Sequence, residues 1–138
     1  MLLTKIFFLT ILLHFFADFT LQCIGGDSCM ANLKQKRWWI KKLKEARYVS
    51  DQPEKTYDKY ESDYRCGLMC HAMYWTVLTF LPLFLLSNSS TFIICSFVIN
   101  SVAHAIIDHL KCNALAINLV QDQSLHIVQI GLTFFFFA

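Results

Sequence analysis

The sequence predicts an all-α polytopic membrane domain, with about four transmembrane helices in a bundle and one interfacial amphipathic helix. Three features point there. Hydrophobic residues make up 56% of the 138 and charged residues only 16%, where soluble domains carry about 25%. The charge is also segregated: ten of the twelve Lys/Arg and seven of the ten Asp/Glu lie between Gly25 and Arg65. Outside that segment the chain falls into apolar stretches close to the roughly 20 residues a helix needs to cross a bilayer.

The first stretch covers residues 2–24. Lys5 followed by an apolar run resembles a secretory leader, but His14 and Asp18 interrupt the run. Thr20-Leu21-Gln22-Cys23 is also a poor lipoprotein cleavage site, so a retained span is expected. Residues 25–65 form the one long connection. Its first part, Asn32 to Arg47, sets Leu33, Trp38, Trp39, Ile40 and Leu43 against a basic face. That is the pattern of a helix lying in the headgroup layer. The bilayer and its anionic headgroups are the expected partners of residues 32–47, with no specific nucleic acid. Its second part, Asp51 to Tyr64, is polar and Tyr-rich and reads as a loop or short surface helix.

Span two covers 67–86 and span three 91–110. The turn Ser87-Asn88-Ser89-Ser90 makes them a helical hairpin. A short link around Lys111 to Gln121 leads to span four, 120–138. Its apolar stretch, about Ser124 to Ala138, is short, and it crosses a bilayer only if the first turn starts near Val120 or the bilayer thins locally. Residues 1–138 read as a single membrane domain. Basic residues near span ends stay in the cytoplasm. That rule puts the 25–65 connection and Lys111 on the cytoplasmic side, and the 87–90 turn and both termini outside; Lys5 alone opposes it.

The six cysteines, Cys23, Cys29, Cys66, Cys70, Cys95 and Cys112, form no C-x-x-C pair. Most sit in or beside apolar runs, where cysteine serves as a small hydrophobe. Cys66 and Cys70, one turn apart beside His71, are the pair to weigh as metal ligands.

Ionisable groups inside a bilayer are costly, about 2.5–3.5 kcal/mol for Asp at a helix centre on insertion scales, so they need partners. Each of the three carboxylates outside the basic connection has a histidine four residues away: His14/Asp18, His104/Asp108 and Asp122/His126. Residues four apart share a helix face. The order within the pairs follows the membrane. His precedes Asp in spans one and three, which run inward; Asp precedes His in span four, which runs outward. All three carboxylates therefore lie toward the cytoplasm, with the imidazoles about 6 Å deeper at 1.5 Å per residue. His71 enters early in span two at similar depth. Gln22 and Asn100 extend two of these faces, and His109, next to Asp108, points elsewhere.

Imidazole and carboxylate together form the usual ligand set for zinc, manganese or iron, and helical bundles build metal sites from such residues on facing helices. The predicted metal ligands are His14, Asp18, His71, His104, Asp108, Asp122 and His126, enough for one or two divalent ions, zinc or manganese foremost. Asp18, Asp108 and Asp122 are the candidate catalytic carboxylates, since one could act as general base. Lys34, Lys111 and Gln22 are the candidate substrate-binding residues near a phosphate. For most of the basic residues, contact with lipid headgroups is the plainer explanation. The sequence shows no Ser/His/Asp triad, glycine-rich phosphate loop or zinc-finger spacing.

The segment His14-Phe15-Phe16-Ala17-Asp18-Phe19-Thr20-Leu21-Gln22 resembles the opening motif of domain-of-unknown-function family 3307, small integral membrane proteins of bacteria and their phages. Lys34 fits the lysine that follows in that pattern. Ala103-His104-Ala105-Ile106-Ile107-Asp108 with Lys111, and Asp122-Gln123-Ser124-Leu125-His126, resemble its later blocks, and His71 sits where a histidine begins the second span. The resemblance implies a multi-pass protein of the bacterial inner membrane. It supports the site and topology more than any chemistry, because the family carries no established activity.

The first expectation is thus metal-dependent hydrolysis of a phosphate-bearing or lipid-like substrate near the cytoplasmic face. A carrier for a divalent cation or protons is the second. A non-catalytic membrane protein whose polar core fixes helix packing is the third. The outer halves of spans one, two and four read as nearly all apolar, which lowers the carrier reading.

Overall fold

A computed structural model describes residues 2–47, 60 and 62–137. Among them the chain is helical, with no strands. Helix α1 (Leu2–Phe15) continues through a π turn at Phe16–Thr20 and a 3-10 turn at Leu21–Cys23. Gly25 and Gly26, both at positive φ, then reverse the chain, a conformation other L-residues adopt at a cost. Two helices follow, α2 (Met30–Leu33) and α3 (Lys36–Arg47). The predicted 32–47 helix is therefore broken, at Lys34 and Gln35. Three long helices complete the fold: α4 (Asp63–Leu86), α5 (Ser90–Cys112) and α6 (Leu119–Phe137). Helix α4 begins one turn before the predicted 67. The expectation for residues 51–59 lies outside the described residues.

The boundaries have local causes. Ser89 caps α5, its hydroxyl accepting from the Phe92 N–H at 3.2 Å, which satisfies one of the first-turn donors a helix leaves unpaired. Asn118 and Gln121 cap α6 reciprocally: each side-chain oxygen accepts the other's backbone N–H at 3.0 Å. This is the logic of the capping box. It starts α6 just before Asp122 and Gln123.

The four long helices contact one another in a ring, α1 to α4, α4 to α5, α5 to α6 and α6 back to α1. Three segments are long and apolar enough to cross a membrane: Leu2–Cys23, Asp63–Leu86 and Ser90–Cys112. Helix α6 has 19 residues but carries Gln121, Asp122, Gln123, His126 and Gln129, which dilute its apolar character.

Burial is inverted relative to a soluble bundle. Phe8, Leu12, Leu85, Ile94, Ile99, Phe135 and Phe136 are exposed, while His14, Asp18, Lys34, His71, His104, Asp108, Asp122 and His126 are buried. In water such an exterior would forfeit most of the hydrophobic driving force. Against lipid tails it costs nothing, and the ionisable groups belong on the inside. Three helices long and apolar enough to cross a membrane, with a polar interior, are the pattern of a membrane protein. The apolar share of the interior, Ile6, Phe80, Leu83, Ile130 and Phe134, packs beyond Trp75, away from α3.

The α2–α3 segment is docked onto the end of the bundle. Asn113, just after α5, grips the break from both sides: it accepts from Lys36 N–H at 2.7 Å and donates to the Lys34 carbonyl at 3.1 Å. The Trp39 indole donates to the Leu33 carbonyl at 2.8 Å. Gly67 of α4 lies so close to Leu33 that a Cβ there would sit 2.5 Å from its carbonyl oxygen. On the outside, Asp27 receives Lys42 at 2.5 Å and the Trp38 indole at 3.2 Å. The short α2–α3 break is how the backbone turns Lys34 inward.

Candidate metal centre

Each long helix delivers its polar residues to one layer. Asp108 is central. Its Oδ2 accepts from Lys34 Nζ at 2.6 Å and lies 3.3 Å from His71 Nε2 and 3.5 Å from His104 Nε2; its Oδ1 lies 3.7 Å from His126 Nε2. Asp18, on the π turn, reaches His71 Nε2 at 3.7 Å through Oδ1. Asp122 receives Lys111 at 2.7 Å on Oδ2 and faces His126 Nε2 at 3.6 Å with Oδ1. Two groups stand close enough to hold a metal ion, Asp18/His71/His104 and His104/Asp108/His126, and they share His104.

The hydrogen bonds assign the imidazole protons. Lys34 Nζ has only donors, so His71 Nε2, 3.1 Å away, accepts. His104 Nε2, 3.2 Å from the same atom, is then the donor, which leaves its Nδ1 to accept from His126 Nδ1 at 3.2 Å. With neutral rings, the remaining lone pair of His126, on Nε2, faces Asp108 Oδ1 at 3.7 Å and Asp122 Oδ1 at 3.6 Å, three acceptors with no hydrogen between them. Correspondingly, His126 Nε2, Asp122 Oδ1 and Asp18 Oδ1 are buried without a hydrogen-bond partner. Orphaned buried acceptors are costly. A cation among them, a metal or a proton, is what relieves the repulsion. The separations suit a metal: donor atoms on a tetrahedral zinc with bonds of about 2.0–2.1 Å lie about 3.3–3.4 Å apart.

The net charge points the same way. Three carboxylates face two ammonium groups, leaving one negative charge if the imidazoles are neutral. Burial by itself would push the Lys34 ammonium toward its neutral form, but the Asp108 carboxylate more than offsets this and holds its pKa above the usual lysine value. Lys34 therefore stays charged.

His14 is placed differently from the other predicted ligands. The Trp75 indole N–H donates to its Nδ1 at 3.0 Å, so Nε2 carries the proton and donates to Gln123 Oε1 at 3.0 Å. Both ring nitrogens are used, and His14, like Asp122, belongs to neither ligand group. Gln123 passes the order on, donating to Asp18 Oδ2 at 3.2 Å and Asp122 Oδ2 at 2.9 Å. Lys34 and Lys111, predicted to meet substrate, are both bonded to carboxylates of the cluster. Gln22 keeps a buried Oε1 without a hydrogen-bond partner. Cys66 and Cys70 are exposed beside a buried His71 and lie outside both groups. His109 stacks on Tyr64, away from the cluster.

Several residues were not singled out by sequence. Trp75, fully buried, stacks on His104 at 4.0 Å, and His104 stacks in turn on His126 at 4.2 Å. Its position one turn after His71 on the same face was the available signal. Gln123 was hidden as the neighbour of Asp122. Farther from α3, Gln129 donates to Asn100 Oδ1 at 2.9 Å and Thr133 donates to the same atom at 3.1 Å. This second buried polar layer modifies the expectation of an apolar outer half.

No protein-family model, curated protein or solved structure matches the chain.

Proposed function

We propose that the protein is a four-span metal-binding protein of the bacterial inner membrane, a member of domain-of-unknown-function family 3307. In this reading it hydrolyses a phosphate-bearing or lipid-like substrate at a buried His/Asp centre near the cytoplasmic face. The observation that carries it is the set of orphaned acceptors, Asp18 Oδ1, Asp122 Oδ1 and His126 Nε2, in a cluster whose three carboxylates outnumber its two ammonium groups. His71, His104, His126, Asp18 and Asp108 would hold one or two ions, with Asp122 beside them; such an ion polarises a phosphoryl oxygen and activates water. With neutral imidazoles, a bound divalent ion would turn the cluster's charge positive, which favours an anionic substrate. Hydrolysis adds water across the P–O ester bond: a carboxylate takes the water proton, the bond to the alcohol oxygen breaks, and that oxygen leaves protonated. Residues His14, Asp18, Lys34, His71, Asp108, Asp122 and His126 all fall within the segments that resemble the family, which supports the assignment.

The second layer of Asn100, Gln129 and Thr133 favours a cation or proton pathway as the alternative. The apolar cluster of Ile6, Phe80, Leu83, Ile130 and Phe134 weighs against it, since it fills the interior beyond Trp75. Elemental analysis of detergent-purified protein tests the reading: wild type should hold one or two zinc or manganese ions per chain, and Asp108→Ala and His126→Ala should hold less than half as much. The loaded wild type should release phosphate from dodecyl phosphate. A wild type that stays metal-free under zinc and manganese supplements overturns the metal centre. Loaded protein that releases no phosphate overturns the hydrolysis.

A further inference from the structure

A groove of about 450 Å³ lies between the π turn and α6, lined by Phe19, Leu119, Val120, Gln123, Ser124 and Ile127. Its volume is that of a small-molecule site, roughly 300–1,000 Å³, but it is open along its length and not enclosed. Four of its side chains are apolar, and Phe19, Leu119 and Val120 are exposed on the outside of the bundle. Ser124 is occupied, donating to the Val120 carbonyl at 2.8 Å. That leaves Gln123 as the polar floor. The same amide is bonded on its inner side to His14, Asp18 and Asp122. One side chain thus separates a lipid-facing groove from the buried cluster.

We propose that this groove is a lateral portal for a phosphate-bearing amphiphile of the bilayer, with Gln123 as the gate between its headgroup and the cluster. The inference rests on the metal-centre reading and adds the substrate's route and class. The apolar walls match an acyl chain. The polar floor matches an anionic head. Gln123 offers amide donors there, and Lys111, partly exposed, stands next to it on Asp122. A phosphate oxygen accepts those donors in place of Asp18 Oδ2 and Asp122 Oδ2, which turns the amide away from the cluster and opens the way to it. A soluble phosphate would have no use for the walls.

The test uses zinc-loaded full-length protein in phosphatidylcholine nanodiscs containing phosphatidic acid with a diazirine on its acyl chain. Photolabelling should concentrate on Phe19, Val120 and Ile127. Val120→Trp, at a lipid-exposed position that tolerates a large side chain, should cut labelling of Phe19 and Ile127 at least fivefold. Leu132→Trp, in the groove between α5 and α6, should leave it unchanged. Dodecyl phosphate should compete; inorganic phosphate and dodecanol should not. Labelling spread evenly around the bundle, or unaffected by Val120→Trp, overturns the portal. Competition by dodecanol as strong as by dodecyl phosphate overturns the anionic head, and competition by inorganic phosphate alone overturns the lipid source. Zinc content measured on the same samples judges the metal centre separately: a metal-free wild type sinks that reading whatever the labelling pattern.

Discussion

Removing the Lys34 ammonium should be among the most damaging single changes in this protein. The Lys34–Asp108 pair is 2.6 Å long with side chains only 5% and 2% exposed. Breaking such a pair from one side leaves a buried charge uncompensated, at a cost of about 3–5 kcal/mol. Lys34→Met and Asp108→Asn should each destabilise by about that amount, with Asp108→Asn at the lower end because the amide still accepts from its neighbours. The double variant removes both charges and should cost no more than the worse single. The coupling energy is then at least about 3 kcal/mol, roughly 150-fold in the unfolding equilibrium. The assay is SDS-titrated unfolding of purified protein in mixed micelles, followed by circular dichroism in chelator so that metal contributes nothing. If the two single effects add to within about 0.5 kcal/mol, the two residues are not energetically paired and the docking of the α2–α3 segment has been misread.

Lys34 also competes with any metal for Asp108. Lys34→Met should tighten zinc binding at least tenfold in a chelator-competition titration, and Asp108→Asn should weaken it by at least as much; weaker binding by Lys34→Met would mean that the lysine orients the carboxylate. His14→Gln should retain zinc while His126→Ala loses it, and equal losses would restore His14 to the ligand set. Gly67→Ala drives a methyl group against the Leu33 carbonyl and should destabilise by about 1–3 kcal/mol in the same SDS titration; an unchanged midpoint would show that the segment yields without strain. The raised pKa of Lys34 makes its ion-pair stability fully present below the ordinary lysine value of 10.5, to be lost only as pH rises through the higher folded value. In chelator, Lys34→Met should therefore show the same deficit at pH 7 and pH 9, and a deficit that shrinks across that window contradicts the pairing.

The sequence by itself determined the helices and the inward polar face. Apolar length sets the spans, and the i,i+4 placement of His104/Asp108 and Asp122/His126 fixes a shared face whatever the helix packs against. The opposite order of the second pair likewise follows from chain direction alone. Tertiary structure decided how the groups are used. Only the ring of four helices stacks Trp75 on His104 and gives both nitrogens of His14 to hydrogen bonds, so a histidine with the right spacing leaves the ligand groups. Only the fold-back of the connection makes Lys34 a buried counter-ion, because that depends on contacts of Asn113 and Gly67 with a segment distant in sequence. The π turn at Asp18 was equally invisible, since a 3.6-residue period is assumed when a face is read from spacing. The paired carboxylates and imidazoles were legible because periodicity is local. The gate at Gln123 was not, because a residue becomes a gate only through what lies on its two sides.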